Sequence, residues 1–126
     1  MATINRFEDI QAWQRARELV NDIYTITAVN PFAKDFSLRD QIRRSAVSIA
    51  SNLAEGDERD TDKESIRFFY IAKGSLAEFR TQTQIANEIG YLEKKIYEKI
   101  EAECNELGKM IGKLIKVRKE GVEGKP

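Results

Sequence analysis

Two groups of side chains have types and spacings that could do chemistry. Within Ser37 to Gly56, SLRDQIRRSAVSIASNLAEG, the residues Gln41, Ser45, Ser48, Asn52 and Glu55 recur at steps of three and four, so an α-helix carries them on one polar stripe. Near the C-terminus Lys109, Lys113 and Lys116 recur at the same steps, with Arg118 and Lys119 nearby and no acid between them. The first group offers hydrogen bonds and the second offers point charges to phosphates. Neither is a catalytic set. The chain has no histidine, which removes Ser-His and Cys-His catalysis and the Glu-x-x-His ligands of di-iron bundles. Glu55 and Glu78 could act as acid and base, but no nucleophile, metal-ligand set or phosphate loop accompanies them in the sequence. An enzyme is therefore the weakest reading, and no cofactor or metal is expected.

Three apparent motifs fail on inspection. Gly108 to Lys113 has the wrong spacing for a phosphate loop and sits in a helical pattern with no strand before it. Asp60, Asp62 and Glu64 alternate as in a calcium loop, yet counting from Asp60 puts Ser65 and Ile71 where glycine and glutamate are needed. Cys104 is the sole cysteine and lies among apolar residues at helical spacing, which marks a buried thiol and excludes an internal disulfide.

The elements that must position these groups are four amphipathic helices. The first spans about 9–28, with Asp9 as its N-cap and Ile10, Trp13, Ala16, Val20, Ile23 and Thr27 facing inward. Pro31 ends it, because proline disfavours helical geometry at Asn30. The second is capped by Ser37, turns Leu38, Ile42, Ala46, Ile49 and Leu53 to the core, and closes on Gly56 in a left-handed conformation. The third, about 62–88, begins at a Thr61 and Glu64 capping box and ends at Gly90. Its apolar residues spread past one stripe, from Phe69, Ala72, Leu76, Phe79, Thr83 and Ala86 to Ile66, Phe68, Tyr70, Ile71, Ala77, Ile85 and Ile89. A helix this apolar around its girth wants cover from a second subunit. Gly74 and Ser75 at its centre, and Gly108 and Gly112 in the fourth helix, suggest close helix approach. The fourth, about 93–119, repeats Ile100, Cys104, Leu107, Ile111 and Leu114 at near-heptad spacing.

Short loops between four such helices imply an all-α, antiparallel up-down-up-down four-helix bundle. At 126 residues the chain makes one domain over 1–120, with a disordered polar tail at 121–126. Lysine plus arginine and aspartate plus glutamate both number 21, so no net field draws the chain to nucleic acid or to an anionic membrane. The longest apolar run, Phe68 to Ala72, is far short of a membrane span, and residues 1–6 lack the apolar core of a signal peptide. A cytoplasmic location without membrane contact is expected.

The chain also resembles a family, the bacterial four-helix-bundle proteins encoded within intervening sequences of 23S ribosomal RNA genes, sometimes labelled S23 ribosomal proteins. The resemblance rests on Phe7-Glu8-Asp9-Ile10 with Trp13 and Ala16, on Gln41 through Ile49, and on Asn52-Leu53-Ala54-Glu55-Gly56. It continues through Arg67-Phe68, Ala72 through Glu78, and Gly90-Tyr91-Leu92. That family is similar in turn to the accessory variability determinant of diversity-generating retroelements, a basic pentameric barrel that works with a reverse transcriptase and nucleic acid. The resemblance implies a ring-like homopentamer, without enzymatic activity, associated with RNA or DNA. A protein scaffold, such as an accessory subunit for a reverse transcriptase, is the alternative.

Two arrangements are expected at the site level. Short hydroxyl and amide groups are poor helix formers, so Ser45, Ser48, Asn52 and Glu55 should form a polar network with Arg43 or Arg44 and with Ser75 and Glu78, within a subunit or across its boundary. Lys109, Lys113, Lys116 and Lys119, with Arg39 and Arg43, should form a phosphate-contacting patch repeated around the ring.

Overall fold

Apolar residues recurring every three or four positions fold here as helices that bury those positions together. The computed structural model describes the backbone of residues 2–124 and the side chains of residues 8–124. These form α1 (Ala2–Thr27), a single 3-10 turn (Phe32–Lys34), α2 (Phe36–Asp57), α3 (Asp62–Glu88) and α4 (Lys94–Glu123), with no strand among the described residues. None of the described helices is long and apolar enough to cross a membrane.

The helices pack in a cycle: α1 touches α2 and α4, α2 touches α3, and α3 touches α4. The core is one cluster in which Ile23, Ile42, Ile49, Leu53, Phe69, Phe79, Leu107 and Ile111 are almost wholly excluded from water. Each such side chain contributes about 1.5–3 kcal/mol by leaving water. Contacts between α2 and α3 run in opposite numerical order, from Ser45 with Gln82, through Ser48 with Ser75, to the Gly56 carbonyl with Ser65.

The boundaries correct several expectations. Helix α1 starts seven residues before Asp9, at Ala2, so Asp9 is no cap; it is buried and paired with Arg118 of α4. The inward stripe of α1 is accordingly rotated to Ala12, Ala16, Leu19, Ile23 and Thr27, leaving Ile10 exposed and Trp13 and Val20 at the edge of the core. The N-cap of α2 is Asp35, whose Oδ1 accepts from the Leu38 amide at 3.1 Å; Ser37 lies inside the helix and receives the Gln41 side-chain amide instead. Gly56 is helical and ends nothing, because α2 runs to Asp57 and the only positive-φ residue among the described residues is Gly90 (φ 84). The value of Gly56 is space: a Cβ there would lie 2.7 Å from Phe69 Cδ1 and closer still to Cε1. Helix α3 does begin at Thr61, whose hydroxyl accepts from the Glu64 amide. The expected tail is shortened, since α4 continues through Gly121 to Glu123; residues 125–126 of that tail lie outside the described residues.

The end formed by the α1–α2 and α3–α4 connections has its own polar lock. Tyr91 donates its hydroxyl to Asp35 Oδ2 at 2.9 Å, and its ring meets Phe32 edge-on with centroids 5.2 Å apart. The carboxylate that caps α2 therefore also anchors the loop ahead of α4.

Candidate nucleic-acid interface

The polar stripe of α2 faces α3. Ser45 donates to Gln82 Oε1 at 2.7 Å and to its own helix at Ile42, while the Ser48 and Ser75 hydroxyls share a hydrogen bond of 2.7 Å. Asn52 donates to the Ser48 carbonyl at 2.9 Å and to the Ser48 hydroxyl at 3.1 Å. Short side chains are what such a seam requires, since longer ones would hold the two helices apart. The network is smaller than expected. Glu55 pairs with Arg59 one turn on, Arg44 and Glu78 are exposed, and Arg43 reaches α1, donating to Thr27 Oγ1 at 2.8 Å and to the Tyr24 carbonyl. Gln82, overlooked in the sequence, follows Ser75 by seven residues, which two turns of helix place on the same side.

The basic residues separate into two groups. Lys113 turns to α1, with its Nζ 3.6 Å from Glu8, and Lys109 is exposed. Arg39 and Arg43 lie at the other end of the bundle. Arg43 meets Thr27 whereas Lys113 meets Glu8, and those contacts are 27 − 8 = 19 residues apart on α1, about 28 Å along the axis. Arg39 is also engaged locally, with Asp40 at 2.9 Å and the Ala33 carbonyl at 3.3 Å. One subunit therefore does not by itself join Arg39 and Arg43 to the lysines of α4.

What α4 gains instead comes from α3. Lys116 and Lys119 line a cleft of about 440 Å³ with Tyr70, Lys73, Gly112 and Ile115, and Glu120 and Glu123 form the rest of its wall. The ammonium groups of Lys119 and Lys73 stand 5.2 Å and 5.9 Å from the centroid of the Tyr70 ring, which is 43% exposed. A hydrogen bond with Tyr70 favours the charged form of Lys119 and raises its pKa. Gly112 leaves the α4 wall open, because a Cβ there would meet nothing within 4 Å. Cations beside an aromatic face can hold phosphate and stack a planar ring, the two contacts that single-stranded nucleic acid offers. Tyr70 and Lys73 lie in α3, 109 − 73 = 36 residues or more before the lysine run, and no spacing rule ties them to it.

Residues 8–113 match the family described as 23S rRNA-intervening sequence protein. The chain belongs to that family. The matched region takes in most of the bundle, from Glu8 through Lys113, and stops short of Lys116 and Lys119. Among solved structures, the chain is similar to a protein of unknown function from the S23 ribosomal protein family of Bacteroides thetaiotaomicron. The two are 23% identical, the match covers 86% of this chain and 98% of that one, and the TM-score is 0.81. At that identity the likeness is one of fold. None of the curated proteins matches the chain.

Proposed function

We propose that this 23S rRNA-intervening sequence protein is a non-enzymatic, antiparallel up-down-up-down bundle that closes into a homopentameric ring in the cytoplasm and associates with RNA or DNA. The observation that carries the nucleic-acid reading is the pair Lys73 and Lys119 beside the exposed ring of Tyr70, with Lys116 lining the same cleft. With Glu120 and Glu123 on the same wall the cleft nets 3 − 2 = +1 charge, so one copy binds weakly and repetition around a ring supplies avidity. Ring closure is supported by the outer surface of α3, where Ile71 and Ile85 are exposed, with Ile89 just past its end, and where Gly74 opens onto empty space. The pentameric number comes from the family resemblance. The pairing of Glu55 with Arg59 supports a structural use of that carboxylate.

The same apolar surface favours a second reading, a scaffold for another protein such as a reverse transcriptase. A salt titration of long and short structured RNA separates the two, run on the parent and on a variant carrying Lys73→Gln, Lys116→Gln and Lys119→Gln, with light scattering on both. The nucleic-acid reading expects a pentamer mass, tighter binding of long RNA, and a log–log salt slope lower in the variant by about two to three. Equal binding by parent and variant removes the cleft from consideration. No binding by either at about 50 mM salt makes the scaffold the leading reading, and a monomer mass ends the ring.

A further inference from the structure

At the end of the bundle opposite Tyr91, every helix sends a charged side chain to one buried point. Arg118 of α4, 6% exposed, pairs with Asp9 Oδ2 of α1, and its Nε stands 3.8 Å from Asp62 Oδ1 of α3. Its guanidinium also lies 5.3 Å from the centroid of the Phe69 ring, the same ring that occupies the space left by Gly56. Asp57, at the end of α2, completes the group, its carboxyl close enough to that of Asp9 to oppose a second negative charge there. Gly121 makes room for Asp62, since a Cβ there would overlap Asp62 Oδ2. Neighbouring charges are engaged or turned outward: Glu8 faces Lys113, Lys119 faces Tyr70, and Glu58 is exposed.

This is an unequal ledger of charge. Fully ionised, three carboxylates around one guanidinium sum to 1 − 3 = −2. Asp9 is 1% exposed and its Oδ1 is closed to water, so solvent cannot screen the excess there. Two carboxylates also repel, and they hydrogen-bond to one another only with a proton between them. We propose that the cluster is a proton-operated latch, in which Asp9 holds a proton beside the Asp57 carboxyl and its loss loosens the junction of all four helices. The pKa of Asp9 agrees, raised from 3.8 to about 7, first by burial, against the pull of Arg118 and with the help of Asp57. The folded state thus binds a proton that the unfolded chain releases near pH 3.8. Stability is full below that pH and is lost as pH rises toward about 7, after which it levels off.

The test uses the full chain. Across the rising part of this window the folding equilibrium constant of the parent should fall by about tenfold per pH unit and flatten above about pH 8. Asp9→Asn supplies a permanent neutral donor to Asp57, so its stability should lose that slope. Carboxyl ¹³C shifts of the parent should show the Asp9 signal moving near neutrality. Amide exchange, corrected for its intrinsic pH dependence, should quicken at higher pH around Asp9 and Arg118 before it does at the core. The proposal is overturned if Asp9→Asn keeps the parental slope, or if exchange quickens uniformly along the chain. Should the variant not fold, the parent spectrum alone decides, because an Asp9 carboxyl ionised throughout about pH 5–8 rules out the held proton.

Discussion

Gly56 and Gly74 are both interior helical glycines, and their surroundings are opposite. A Cβ at 56 would run into the edge of Phe69, whereas one at 74 would meet nothing within 4 Å. Gly56→Ala should therefore lower stability by about 1–3 kcal/mol, the usual cost of overpacking. Gly74→Ala should raise it by about 1 kcal/mol through helix propensity alone. Denaturant melts of the two variants check both signs, and a Gly74→Ala variant that loses assembled mass would locate a neighbouring helix at that point. The sequence shows each glycine and cannot show which is crowded, because the crowding atom belongs to a residue on another helix. Asp9 is harder still. An aspartate just ahead of an apolar repeat looks like a cap, and its true partner, Arg118, is 109 residues away. A hint did exist at the far end, since Arg118 takes the next inward place after Ile111 and Leu114 on α4.

At the scale of elements, the α2–α3 seam was legible as a kind of contact and not as a list of partners. Short polar residues repeated at helical steps mark close approach, and the Ser48–Ser75 bond of 2.7 Å has that character. The register depends on how the turn at 58–61 sets one helix against the other, and this decided that Ser45 meets Gln82 while Glu55 and Arg43 turn elsewhere. Removing one partner should cost the net value of a hydrogen bond. Ser75→Ala and Gln82→Leu are each expected to lose about 1 kcal/mol in urea melts. Asn52→Leu should lose a similar amount, since the Asn52 amide bonds only within α2, to Ser48. A loss below about 0.3 kcal/mol for all three would mean that water replaces these partners at no cost. The lysines of α4 show the same division. Their spacing was visible, but their spread over two faces, with Lys113 toward Glu8 and Lys119 toward Tyr70, is a product of packing.

For the whole molecule, periodicity was enough to find four helices, and residues 8–113 matched the family that their motifs resemble. The orientation of α1 was not enough, because Ile10 and Trp13 look as apolar as Ala12 and Ala16 and only the neighbours select the smaller pair. Cys104 was read correctly as a buried thiol, and it has a use as a reporter. It is wholly excluded from water, and burial pushes its pKa up to about 12. A thiol in that state reacts with a disulfide reagent only when the chain opens around it. It lies 118 − 104 = 14 residues from Arg118 on the same helix, about 21 Å away along the axis. The sole cysteine of the chain is thus a clock for global opening, and it stands apart from the carboxyl cluster. Labelling of Cys104 should stay slow at pH 8 while amides near Asp9 exchange quickly, and in about 4 M urea both should converge on one rate. A chain whose Cys104 labels as fast as its Asp9 amides exchange in buffer would be opening everywhere at once.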